Sequence, residues 1–271
     1  MLTFCLSYVA DPHFVTFYGA HYSYHGACDL VLLRNPKFDF GKGMEIQIRT
    51  EHMLNNAFSF ISNAAVKIGH DVLEVVNDGS HLFNGVRDAP MPTSLGGFDV
   101  LKSHEAYCKE EDVEKKCTHV THIKILLAEK GEIDVKVASR MLHVNFKGST
   151  DHFIGSVGLL GTYPDVHKNG KIARDGQTFI RDSDTFGQEW QVRDDEPMLF
   201  HARRFPQFPE ACVPPVSLPN VEKRGLRQAE NEAARRAAIE ACAHVEGPEL
   251  EFCIFDVMAT GDYGMAATIY G

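Results

Sequence analysis

The sequence predicts a mostly β chain, a twisted antiparallel β-sandwich or meander, with a small α-helical hairpin at its C-terminus. Two observations carry this expectation. Short runs rich in aromatic and β-branched residues, separated by Gly, Pro, Asn and Asp turn signals, follow one another with almost no helical periodicity before residue 220. An Ala-rich stretch over residues 221–245 then ends at Gly247-Pro248, and a second apolar stretch at helical spacing follows over 250–258. The division implied is a β domain over 1–200, a Pro-rich linker over 201–220 and a helical hairpin over 221–271.

Residues 11–19 and 22–33 read as two strands about a tight turn at Gly19, with aromatic and β-branched residues alternating and an apolar run at Leu30-Val31-Leu32-Leu33. Arg34-Asn35-Pro36-Lys37 is a turn, and residues 44–50 alternate with period two as a half-buried strand. Residues 64–68 and 71–76 flank Gly69-His70, and Asn77-Asp78-Gly79 is a hairpin turn. After a loop marked by Gly85, Pro90 and Pro92, strands are predicted over 97–101, 120–127, 133–137 and 141–146. Six prolines between Pro197 and Pro219 point to an extended linker or a strap over the surface. Ala237, Ile239 and Cys242 give the first helix only a weak apolar face, so it needs a partner.

At 271 residues the chain can bury a sizeable core, and 44% hydrophobic with 24% charged residues is ordinary for a globular protein. A formal charge of −10 argues against nucleic acid and anionic membrane as partners, because both would repel it. No apolar run approaches the length of a membrane-spanning helix. Met1-Leu2-Thr3-Phe4 is too short for a secretory signal, so an exported protein would carry its leader outside this sequence. Seven cysteines occur without any Cys-x-x-Cys, which disfavours zinc and thioredoxin-like chemistry. Cys108 with Cys117 is placed to clip a hairpin, and Cys242 with Cys253 to join two helices; the alternative is reduced, buried thiols in an intracellular protein.

Three separated stretches carry a family resemblance. Asp11-Pro12-His13-Phe14, Thr16-Phe17-Tyr18-Gly19 and Tyr22-Ser23-Tyr24-His25-Gly26-Ala27-Cys28 resemble the opening of a von Willebrand factor type D domain. Gly158-Leu159-Leu160-Gly161-Thr162-Tyr163 resembles that family's Gly-Leu-Cys-Gly-Asn-Phe signature, and Phe186-Gly187-Gln188-Glu189-Trp190-Gln191-Val192 its Phe-Gly-Asn-Ser-Trp-x-Val strand. The likeness spans roughly residues 5–212, and the helical end is similar to the cysteine-containing helical module that often follows such domains. It implies an extracellular, disulfide-bonded module in which Cys28 pairs with Cys212. Cys5 is then left over, because the family partner of that first cysteine stands at Leu160 here.

The resemblance also implies calcium in the loop after Tyr163, with Asp165, Asn169 and Asp175 as side-chain ligands. The chain departs from the family at Thr162, Pro164 and Tyr18, where Asn and Asp would stand, and Lys168, Lys171 and Arg174 add positive charge. The competing reading is a solvated loop held by Arg–Asp pairs. In related proteins Gly-Asp-Pro-His is a self-cleavage site; here Ala10 replaces the Gly before Asp11-Pro12, and the favoured reading is that Pro12 opens an edge strand and Asp11 hydrogen-bonds the turn.

Among fourteen histidines, His119 and His122 would point to opposite faces of a strand. His21 and His25 would share a face about 13 Å apart, too far for one metal ion. No nucleophile-elbow, P-loop, His-Glu-x-x-His or dinucleotide motif occurs, so no catalytic residues are expected. The function read from the sequence is a non-catalytic structural, adhesive or binding module of a larger secreted protein, stabilised by disulfides and calcium. Its partners would be other extracellular proteins or glycans, or copies of itself. The alternatives are a self-cleaving module at Asp11-Pro12 and a carrier of lipid or another small ligand.

Overall fold

The computed structural model describes residues 3–6, 12–52, 58–87, 89–108, 117–165, 170–204, 206–215, 227–247 and 249–270. Two six-stranded antiparallel sheets enclose one apolar core. The first runs in the order β1 (Thr3–Leu6), β14 (Met141–Ser149), β13 (Glu132–Ala138), β12 (Cys117–Leu126), β11 (Phe98–Cys108), β10 (Ser94–Leu95). The second runs β4 (Asp29–Asn35), β5 (Met44–His52), β6 (Ser59–Ile68), β7 (Asp71–Val76), β8 (His81–Phe83), β9 (Val86–Arg87). A two-stranded ribbon, β2 (His13–Val15) with β3 (His21–Ser23), stands apart from both.

The core follows the alternation of the strands. Ile123, Ile125, Val135, Val144 and Phe146 of the first sheet and Leu30, Leu32, Ile46, Ile48 and Val66 of the second are almost wholly buried in one cluster. Tight hairpins set the register: β6 and β7 pair Ile68 with Asp71 across Gly69, whose φ of +63° a side chain would strain. The mostly antiparallel β architecture with C-terminal helices is the one the sequence predicts.

Three local expectations are corrected. The second strand of the opening motif is not continuous: β3 ends at Ser23, the chain bends through Gly26, and β4 begins in another sheet at Asp29. β5 is not half-buried, because Gln47 and Arg49 on its polar face are 0% and 6% exposed beneath residues 197–202. The stretch Phe186-Gly187-Gln188-Glu189 is not a strand but part of the two-turn helix α2 (Ser183–Glu189), started by Asp182, whose carboxylate accepts the Thr185 amide at 2.8 Å. Between β4 and β5 lies α1, a single turn (Phe38–Gly41) whose Asp39 and Phe40 are left-handed.

The C-terminal unit comprises α3 (Arg227–Ala241), α4 (Glu249–Thr260) and a third helix that the sequence reading missed, α5 (Gly264–Ile269). Ala238, not Ile239, is the buried residue of α3; Ile239 is 42% exposed. Met265 and Ile269 of α5 pack on Val120, Ala138 and Met141 of the first sheet. Asp262 pins the same contact through the hydroxyls of Thr118 and Ser139.

Three disulfides join Cys28 to Cys212, Cys108 to Cys117 and Cys242 to Cys253. The first closes a separation of 184 residues, the second of 9. Loop-closure entropy therefore makes the first the largest contributor, about 5 kcal/mol against about 3 kcal/mol for the second. Replacing Cys28 and Cys212 with Ser should lower the urea midpoint clearly more than replacing Cys108 and Cys117. Equal losses would show that native-state strain, not chain entropy, sets their contribution.

Candidate functional site

The three stretches that lie far apart in the sequence meet in one aromatic seam. Phe14 stacks on Tyr22 at 5.1 Å, and Tyr22 meets Phe186 edge-on at 5.5 Å. The Tyr22 hydroxyl donates to the Leu159 carbonyl at 2.6 Å, and burial raises its pKa. Backbone bonds complete the seam: Leu159 N to Val31 O, Phe17 N to Leu160 O, and Val31 N to Trp190 O.

Two glycines are required by close approach. A Cβ on Gly187 would lie 2.2 Å from the Tyr24 ring, and one on Gly158 2.5 Å from the Leu32 carbonyl, at a φ of +137°. The Cys28–Cys212 bond lies alongside, where Cys212 N donates to Gln188 Oε1 at 3.0 Å and Ala27 pairs with Val213.

Residues 190–213 form a strap along the free edge of β4 and over β5, so the first part of the expected linker lies on the β domain; residues 216–226 lie outside the described residues. Arg49 makes a buried two-pronged pair with Asp29 at 2.6 and 2.9 Å, donates to the Ala202 carbonyl and stacks on Phe200. Gln47 bonds Pro197 O and Leu199 N, and Glu74 accepts the His201 amide.

Glu196 is the centre of the strap's charge network, contacting Arg34 and Arg174 at 2.5 Å each, while Arg34 also pairs with Glu45. Burial alone would raise the Glu196 pKa, but the Arg34 hydrogen bond, the Arg193 amide and both guanidinium charges outweigh it and hold it low. Burial likewise opposes charge on Arg34, and its bonds to Glu45 and Glu196 more than reverse this. A cleft of about 630 Å³ opens between α2 and the strap, walled by Tyr24, Asp184, Glu189, Phe208, Pro214 and Pro215. A smaller one of about 330 Å³ lies beside Asp29 and Arg203.

The loop expected to hold calcium is engaged in its own fold. Asp175 accepts the Gln177 and Thr178 amides and the Thr178 hydroxyl, bonds that lower its pKa. Asp165 accepts the Gly170 amide at 3.0 Å, and Asn169 lies outside the described residues. Arg174 does not pair with an Asp: it turns inward over Trp190, 4.7 Å from the ring, and donates to the carbonyls of Glu189 and Gln191. Among the described residues no group of three or more His, Cys, Asp or Glu is placed to hold a metal ion.

Asp11 likewise lies outside the described residues; Pro12, just before β2, accepts the Tyr24 amide. His122 is buried against Asp134 at 3.0 Å.

The bend after Ser23 brings together histidines that an extended strand would have kept apart. His25 comes within 6.4 Å of His13, and His13 and His21 both pack on Phe252 of α4, His13 stacked at 3.8 Å. Burial, then the charges of His25 and His21, lower the His13 pKa to about 3.

No known family's model matches this chain, and neither does any curated protein.

Two outcomes follow from this packing. Gly187→Ala forces a methyl into the Tyr24 ring and should destabilise by about 1–3 kcal/mol in urea titration; a neutral result would mean the ring moves freely. His13 is neutral in the folded protein down to about pH 3 but protonates in the unfolded chain near the ordinary histidine value of 6.5. Stability should therefore be full above about pH 6.5 and fall as the pH drops toward about 3. His13→Phe should flatten that part of the melting-temperature profile, and an unchanged slope would place the acid sensitivity elsewhere.

Proposed function

We propose that the chain is a non-catalytic structural or adhesive module of a larger secreted protein, resembling a von Willebrand factor type D domain with a helical cap. Its work is to present a rigid surface to other extracellular proteins or glycans. The observation that carries this reading is the Cys28–Cys212 bridge, set beside the point where the three motif stretches converge. A bond across 184 residues persists only where thiols stay oxidised, which is the chemistry of secreted proteins. The described residues contain no helix long and apolar enough to cross a membrane. The reading requires no bound cation.

A second reading, a carrier of a small ligand, draws support from the cleft beside α2. Its open mouth and mixed lining, with Asp184, Arg193 and Phe208, suit a polar or amphipathic molecule better than a lipid chain.

One measurement addresses both. Protein from its native source, alkylated without reduction and weighed intact, should carry three bridges and a single alkylated thiol out of seven cysteines. Seven alkylated thiols would bring the secreted reading down. Excess mass under native conditions, lost on denaturation, would favour the carrier.

A further inference from the structure

β11 is eleven residues long, and β12 pairs with it from Val100 to Cys108 on one side. On the other side β10 covers only Phe98 and Asp99, and Val100 N donates to Thr93 O at 2.9 Å. From Leu101 to Cys108 the outer edge has no strand partner among the described residues. A residue's N–H and C=O leave an antiparallel strand on the same side, and the sides alternate along the chain. Since Val100 aims outward, so do Lys102, His104 and Ala106, while Leu101, Ser103, Glu105 and Tyr107 bond to β12.

All eight residues are exposed, Leu101 and Tyr107 at 52% and 37%, while the neighbouring β12 keeps Thr118, Val120 and His122 buried. The register to β12 is regular, without a bulge, and the Cys108–Cys117 bond clips the end. The edge is therefore straight, preformed and open. Proline and bulges, two usual defences of such an edge, are missing from this segment, and Lys102 is its one lysine.

We propose that this edge is a self-recognition surface: two copies of the chain join antiparallel along β11, about a two-fold axis through His104, merging two six-stranded sheets into one. The pattern of side chains selects both the occupant and the register. A two-fold axis perpendicular to the sheet preserves its faces, so the axis must pass through a residue. Through Ser103 it would set Tyr107 opposite Asp99, which β10 already covers. Through Glu105 it would set two carboxylates face to face. Through His104 it opposes Leu101 to Tyr107, Ser103 to Glu105, Lys102 to Ala106 and His104, held by Thr121 at 2.9 Å, to its own copy, so apolar meets aromatic, hydroxyl meets carboxylate and neither carboxylates nor lysines face each other. The outward amides of Lys102, His104 and Ala106 then bond in pairs. This inference uses only the placed strands and is independent of secretion or family likeness.

Sedimentation and cysteine cross-linking test it in a Cys5→Ser background of the full chain. The parent should show concentration-dependent dimer in the micromolar range, as a narrow interface implies. Ala106→Pro removes an outward N–H that no internal bond uses, so it should abolish the dimer while leaving the circular dichroism and melting temperature close to the parent's.

His104→Cys should link to itself under mild oxidation, because hydrogen-bonded partners lie about 5.5 Å apart, within disulfide reach. Leu101→Cys should fail to link to itself yet link to Tyr107→Cys when the two are mixed. A parent that stays monomeric at about 500 μM, a dimer that survives Ala106→Pro, or self-linking of Leu101→Cys would overturn the proposal.

Discussion

The fold depends on a covalent constraint at its most crowded point. Cys28 leaves the β2–β3 ribbon as β4 begins, and Cys212 ends the strap; their bond holds the β4 edge, α2 and the strap in one arrangement. The space around it is already full. Gly187 lies against the Tyr24 ring, and a Cβ on Gly26 would meet both the Tyr24 hydroxyl at 2.2 Å and Cys212 Cβ at 3.0 Å. A tether across so long a loop removes many unfolded conformations, and tight packing makes the closed geometry specific.

Polar chemistry is subordinate to that packing. Glu196, Arg34 and Arg174 form a triad between the strap, β4 and the loop before α2. Asp29 and Arg49 do the same between β4 and β5, with Phe200 stacked on the guanidinium. Such pairs contribute little net stability against an apolar alternative but cost much when one partner is removed, so they fix the place of the strap more than they strengthen the fold. The same logic accounts for the loop expected to hold a cation: its carboxylates and guanidinium satisfy neighbouring backbone groups.

Much of this was legible in the sequence. Period-two alternation and turn residues located β5 through β7 and β12 through β14, because each lies in a sheet whose neighbours are close in sequence. The paired cysteines of the hairpin and of α3–α4 were legible for the same reason. What escaped depends on distant partners. Nothing local in β5 reveals that residues 150 positions downstream bury Gln47, and nothing near His13 or His21 reveals that α4 gathers both onto Phe252. The helix α2 had a visible signal, Asp182 three residues before Thr185, which the reading of the Trp190 stretch as a strand passed over.

The 28–212 bond also governs what a protease can do to this molecule. Any single cut in the long interval it spans leaves two fragments still joined through sulfur, whether it falls at 53–57, 109–116 or 166–169. A cut at 53–57 also leaves each sheet with strands from both fragments, β1, β4 and β5 from one and β6 through β14 from the other. A nicked molecule would keep its mass and much of its shape until it met a reductant. Cleavage inside that interval is therefore a poor way to dismantle the module, and cleavage beyond Cys212 is the only kind that can release the helical cap.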